Sequence, residues 1–208
     1  MFEDVARGVL VCVGVLMVCG CATPSFTRVG MGSSVEGRPV EAFTIGAGPT
    51  VLVVAGIHGN EQAGIPLAHR LMTLVTDDPS LLAGHRLVVV PVMNPDGVDA
   101  NIRTNARGVD LNRNWPAGNR KELPKSGSAP LSEPESAALH ALIAEYGPIR
   151  VLTIHQPLDC VDYDGPAADL AAAIADATGL PVKKLGGRPG SMGTHLGVER
   201  GVPIITLE

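Results

Sequence analysis

Residues 51–55, Val-Leu-Val-Val-Ala, form an unbroken apolar run. A run of that length with no polar alternation fits a strand covered on both faces, which requires a layer above and a layer below the sheet. Residues 86–92, ended by Asn94-Pro-Asp-Gly97, and residues 151–154 behave in the same way, and a last strand is expected at 203–207. Helical stretches separate them. Ile65, Ala68, Leu71, Met72 and Val75 fall near helical spacing in a helix expected over 61–74. Ser132-Glu-Pro-Glu-Ser offers an N-cap serine and first-turn acids to a helix reaching Tyr146. An alanine-rich helix is expected over 166–178, closed by Gly179. Strands alternating with helices imply an α/β fold, a three-layer sandwich whose central mixed, largely parallel sheet is flanked by helices. No internal repeat or second domain is visible in the 208 residues.

The formal net charge of −5 shows no basic excess, and aromatic residues make up only 3% of the chain. Neither a phosphate-binding surface nor a base-stacking platform is favoured, so no nucleic-acid partner is expected. Cys12, Cys19 and Cys21 lie at the start and only Cys160 lies in the body. A disulfide framework therefore cannot hold the body together.

The first residues read as an address. Residues 8–20 carry no charge and are too few to cross a bilayer comfortably, since a membrane helix needs roughly 20. They suit the apolar part of a secretory signal. Val18-Cys19-Gly20-Cys21, followed by Ala-Thr-Pro-Ser, resembles the lipobox of bacterial lipoproteins. That resemblance implies a signal peptide over 1–20 and lipidation of Cys21, a membrane anchor built from acyl chains. The Ser-, Thr- and Gly-rich residues 21–35 are expected to be a tether. The protein is then an exported, membrane-anchored lipoprotein. Ala22, rather than Asp, after the cysteine implies the periplasmic face of the outer membrane where the cell has two membranes. The plain alternative is an ordinary signal peptide or short anchor.

Three expected strands end in groups that bind or activate: His58 after the first, His155 after the third, Glu208 after the last. In open α/β sheets ligands collect at the carboxyl ends of strands. His58-Gly-Asn-Glu61 places an imidazole and a carboxylate three apart at a strand-to-helix turn, where both can face one point. Such groups suit Zn²⁺, whose catalytic sites take three protein ligands and keep one position open. His155 is the natural third donor. Alone, the pair also fits a surface histidine beside a helix-start glutamate favoured by the dipole.

The long loop sharpens this. Asn94-Pro-Asp-Gly97, Arg103, Gly108-Val-Asp-Leu-Asn-Arg-Asn-Trp115, the Ile154-His155 pair and the final Ile205-Thr-Leu-Glu208 together resemble the zinc carboxypeptidase family, in order over residues 50–208. His155-Gln-Pro-Leu, Val161-Asp-Tyr-Asp-Gly-Pro-Ala and Gly187-Arg-Pro-Gly-Ser resemble its murein peptide amidase branch. The resemblance implies a catalytic domain over 36–208 and one Zn²⁺ per chain, held by His58, Glu61 and His155. It implies Glu208 as general base and Arg103 as the cation that stabilises the oxyanion. It gives Asn112 and Arg113 the substrate's carboxylate. The implied substrate is a cell-wall peptide, cut at the γ-D-glutamyl–diaminopimelate bond. Taken alone, Arg113 also fits a structural ion pair with Asp110.

The sequence departs from the family in two places. Members commonly carry a tyrosine shortly before the base; here Lys184, Arg188 and His195 occupy that stretch. Members also continue past the glutamate, so either the natural chain runs on beyond Glu208 or the base carries the α-carboxylate, which would raise its pKa by like-charge repulsion. Among the remaining residues, His69, His85 and His140 read as surface or packing groups, His195 as a packing group or a substrate contact, and Cys160 as a packed thiol. Asp159, Asp162 and Asp164 read either as a solvated loop or as a reader of the free amine of diaminopimelate. Two other functions fit parts of the pattern: a desuccinylase/aspartoacylase-like amidohydrolase, and a non-catalytic peptide-binding lipoprotein.

Overall fold

The computed structural model describes residues 25–208. Within them a seven-stranded sheet runs in the order β1 (Thr27–Ser33), β2 (Pro39–Gly46), β4 (Arg86–Val90), β3 (Thr50–Ala55), β5 (Arg150–Ile154), β7 (Ile204–Leu207) and β6 (Val161–Asp164). The central strands β4, β3, β5 and β7 are parallel, and antiparallel pairs close both flanks. The apolar runs explain this centre. Leu52 and Val54, with Val88 and Val90, face one layer, where Leu139, Leu142 and Ile143 of helix α3 (Pro134–Tyr146) and Trp115 pack. Val53 and Ala55, with Leu87 and Val89, face the other, against Ala68 and Val75 of helix α1 (Gly64–Asp77). Helix α4 (Ala168–Thr178) places Ala171 over Val161 and Ile205. The result is the three-layer sandwich with a mixed sheet expected from the sequence.

Several boundaries differ from the sequence reading. Helix α1 begins only at Gly64, so His58 to Glu61 stay in a turn, with the Glu61 N–H donating to the His58 carbonyl at 3.1 Å. The N-cap of α3 is Glu133, without a side-chain cap, while the Ser132 hydroxyl donates to the Glu133 carboxylate at 2.8 Å. The tether expected over 21–35 is corrected. Residues 27–33 are strand β1, paired with β2 from Thr27–Thr44 to Ser33–Pro39, with Val29 and Met31 packed on the core beneath α3. Ladder hydrogen bonds and those two side chains order a segment whose Ser and Gly content looks unstructured. Strands β2 and β6 were likewise unforeseen. The expected signal at 1–20 and Cys21 lie outside the described residues.

The Asn94-Pro-Asp-Gly97 turn is a joint. Asn94 caps helix α2 (Pro95–Ala100) by accepting the Gly97 N–H at 2.9 Å, and its amide donates to the Ile57 carbonyl at 3.3 Å. Buried Asp96 accepts from the Ser34 hydroxyl at 2.7 Å, the Glu36 N–H at 3.0 Å and the Arg38 guanidinium at 2.7 Å, tying the β1–β2 hairpin to the same turn. Gly59 then meets Gly97 backbone to backbone. A Cβ on Gly59 would stand 1.9 Å from the Gly97 carbonyl carbon. Gly59→Ala is expected to destabilise the protein by about 3 kcal/mol, the upper end for overpacking, because no flexible side chain can yield there. Gly30→Ala, which meets nothing within 4 Å, should change stability by less than about 1 kcal/mol. Denaturant midpoints compare the two; equal midpoints would contradict the joint.

Candidate active site

Parallel register brings the strand ends together. Ala55 pairs with Ile154, and Ile154 with Leu207, so the residues that follow emerge at one edge of the sheet. The His155 N–H donates to the Leu207 carbonyl at 2.7 Å. Glu208 exchanges backbone hydrogen bonds with Cys160, its N–H at 2.9 Å and its carbonyl at 3.1 Å. His58, Glu61, His155 and Glu208 line one cavity of about 260 Å³, together with Arg103, Asn112 and Arg113.

Within it His58 Nδ1 lies 2.8 Å from Glu61 Oε2, His155 Nδ1 lies 2.7 Å from the same oxygen, and the two nitrogens are 3.1 Å apart. All three residues are buried. Two ligands held at about 2.0–2.1 Å by a tetrahedral zinc would stand roughly 3.3 Å apart, so the donors are already gathered near the required spacing. The second nitrogen of His58, Nε2, lies 3.0 Å from Asp110 Oδ1. A carboxylate there keeps the proton on Nε2 and leaves the Nδ1 lone pair facing the centre, the usual support behind a metal-binding imidazole. This donor set fits a divalent cation: two imidazole lone pairs and an anionic oxygen crowd one point, and a cation removes their mutual repulsion. The structure thus brings together the three donors named from sequence.

The charges around the centre have identifiable causes. Burial works to lower His58, but Asp110 and Glu61 outweigh it and raise its pKa. Burial lowers that of His155, only partly offset by Glu61. Burial raises Glu61, yet hydrogen bonds to His155 and His58 bring it down to about 2. Asp110 is also opposed by burial, but His58, Arg103 and Arg113 hold it well below the usual carboxylate range. Glu208 is raised, by burial first and then by repulsion from Glu61.

Asp110 is the residue that sequence reasoning misplaced. Spacing offers it to Arg113 as an ion-pair partner; instead it accepts from Arg103 Nε at 2.9 Å and from the Asn112 N–H at 2.9 Å while holding His58. Arg103 also donates through Nη1 to Glu61 Oε1 at 2.8 Å. Arg113 forms no ion pair among the described residues; its guanidinium donates to the Asn112 carbonyl at 2.6 Å, and burial lowers its pKa. The Asn112 side-chain oxygen accepts the Met192 N–H at 3.0 Å, which leaves its amide N–H groups for a ligand. A His–carboxylate contact of this kind leaves no spacing signal, because Asp110 reaches His58 only through the fold of the loop.

Other residues separate clearly. Arg188 lines the cavity, whereas His195 is buried against Trp115 and His140, with ring centroids at 6.0 and 5.7 Å, and is a packing residue. His69 is exposed and Cys160 is buried. Asp162 and Asp164 are buried on β6 and line the cavity, while Asp159 is exposed outside it, so the three do not form one solvated loop.

Comparison with known proteins agrees with this geometry. Residues 20–159 match the zinc carboxypeptidase family. Murein peptide amidase A of Escherichia coli (strain K12) is 37% identical over 184 residues, covering 78% of this chain and 73% of that protein. Its counterpart in Vibrio campbellii is 34% identical over 203 residues, covering 88% and 79%. The crystal structure of murein-tripeptide amidase MpaA from Escherichia coli O157 superposes with a TM-score of 0.71 at 29% identity, covering 87% of this chain and 82% of that one. The chain belongs to the zinc carboxypeptidase family and is a zinc-dependent hydrolytic enzyme.

Proposed function

We propose that the protein is an exported amidase that hydrolyses cell-wall (murein) peptides at the γ-D-glutamyl–diaminopimelate bond. One observation carries the reading: the three gathered metal donors share a single cavity with Glu208, Arg103, Asn112 and Arg113. The likeness to murein peptide amidases supports the substrate class. His58, Glu61 and His155 hold the zinc, which when bound supplies Lewis acidity to the carbonyl and to water. Glu208 takes a proton from the attacking water on its carboxylate and delivers it to the leaving amine nitrogen. Its raised pKa, from burial and from Glu61, suits a group that must both accept and return a proton. Arg103 sets a fixed cation where the carbonyl oxygen gains charge. Asn112 and Arg113 hold the free carboxylate next to the scissile bond, the guanidinium bidentately. Lipidation at Cys21 after removal of residues 1–20 places the enzyme beside the cell wall, on the periplasmic face of the outer membrane in a cell with two membranes. That part rests on the lipobox-like sequence.

Cleavage of a tripeptide ending in diaminopimelate, with and without amidation of the carboxylate adjoining the cleaved bond, tests the reaction. The free acid should be strongly preferred. Arg113→Ala should abolish that preference, mainly by raising KM, with about 2–4 kcal/mol lost from kcat/KM. Equal cleavage of both peptides would sink the carboxylate clamp. Labelled fatty acid should enter the wild-type protein and not Cys21→Ser; an exported, acyl-free wild-type protein would contradict the anchor.

A further inference from the structure

Acids at the start of a helix are ordinarily solvated and favoured by the dipole. At the start of α3 they are not solvated: Glu133 is 3% exposed and Glu135 is 0% exposed. Buried carboxylates need hydrogen-bond donors, and these come largely from other elements. The Asn105 amide donates to both, to Glu133 Oε2 at 2.8 Å and to Glu135 Oε2 at 3.2 Å. The Ser132 hydroxyl serves Glu133 Oε1 at 2.8 Å, and the Val35 N–H serves Glu135 Oε1 at 3.2 Å. Arg107 adds an ion pair to Glu133 at 3.5 Å.

Asn105 is itself buried, at the centre of a turn. Its side-chain oxygen accepts the N–H groups of Arg107 and Val109, each at 3.1 Å, and its own N–H donates to the Val109 carbonyl at 2.9 Å. Arg103 and Asp110 flank this turn and meet each other at 2.9 Å, and they are the groups that reach Glu61 and His58. Further on, buried Asn114 accepts the Glu133 N–H at 3.2 Å and donates to the Ser132 hydroxyl at 3.0 Å. Residues 103–114, which carry Arg103, Asp110, Asn112 and Arg113, are thus fixed to the start of α3 at both ends.

We propose that Glu133 and Glu135 are positioning residues: through Asn105 they hold the turn that presents Arg103 and Asp110 to the metal donors. Neither acid lines the cavity, and both act only through Asn105. A displacement of about 1 Å at a reacting group is enough to cost a hundredfold in rate. The part played by Arg103 rests on the proposed reaction, whereas the part played by Asp110 rests on its contact with His58 alone.

Zinc titration and steady-state kinetics on the full chain test this. Asn105→Asp keeps the oxygen that closes the turn but sets a third carboxylate against Glu133 and Glu135. It should weaken zinc binding roughly tenfold through Asp110. With zinc saturating, it should lower kcat roughly 10–100-fold through Arg103 while KM stays within about twofold. Adding Glu133→Gln restores a donor across the contact and should recover part of both losses. Glu133→Ala removes one acceptor and leaves the turn's own hydrogen bonds; it should show the same losses in smaller measure, and decides the matter where Asn105→Asp does not fold. Leu142→Ala, on the buried face of α3, should lower the denaturant midpoint and leave zinc affinity and kcat unchanged. Unchanged zinc affinity in Asn105→Asp and Glu133→Ala, an equal loss in Leu142→Ala, or no recovery on adding Glu133→Gln would overturn the proposal. A wild type that binds zinc but leaves the cell-wall tripeptide intact would contradict the proposed reaction alone, and the zinc affinities would still decide the role of Glu133 and Glu135.

Discussion

One carboxylate oxygen, Glu61 Oε2, sits 2.8 Å from one imidazole nitrogen and 2.7 Å from another, in a buried place. Removing such a charge from water costs several kcal/mol unless it is compensated. Much of the surrounding structure compensates it. Asp110 orients His58, Arg103 bridges Asp110 and Glu61, and the Gln156 N–H lies 3.4 Å from the same Oε2. The active-site loop is therefore fastened to the metal donors by charge, as well as to the core by Leu111 and Trp115.

Sheet architecture supplies the other half. His58 and Glu61 follow β3, His155 follows β5 and Glu208 follows β7, and the register of these parallel strands aligns their ends. Because the strands are covered on both faces, a one-residue slip would turn each core residue toward the wrong layer. Core packing thus fixes the position of His155 and Glu208 as firmly as local hydrogen bonds do. The contact of Gly59 with Gly97 does the same for the turn that carries His58 and Glu61.

How much of this was legible follows from where each residue's constraint lies. Strands β3, β4, β5 and β7 were readable because burial on both faces leaves apolar runs, and the three donors because they follow those runs. Strand β1, Thr-Arg-Val-Gly-Met-Gly-Ser, is an edge strand exposed at most positions, so nothing in its composition marks it. Strand β6, Val-Asp-Tyr-Asp, points its acids into a cavity, which in sequence looks like a polar loop. On spacing alone Asp110 reads as an ion-pair partner of Arg113; only the folded loop sends it to His58 and Arg103. His195 lies in a π-helical turn, Gly193–Val198, whose inward face no simple periodicity reveals.

The central claim is that His58, Glu61 and His155 form one zinc site oriented by Asp110. Zinc titration against a competing chelator tests it most directly. The account predicts one zinc per chain in the wild type, none in a His58→Ala, His155→Ala double variant, and one zinc bound about 10–100-fold more weakly in Asp110→Asn. Stoichiometric zinc in the double variant, or unchanged affinity in Asp110→Asn, would contradict it.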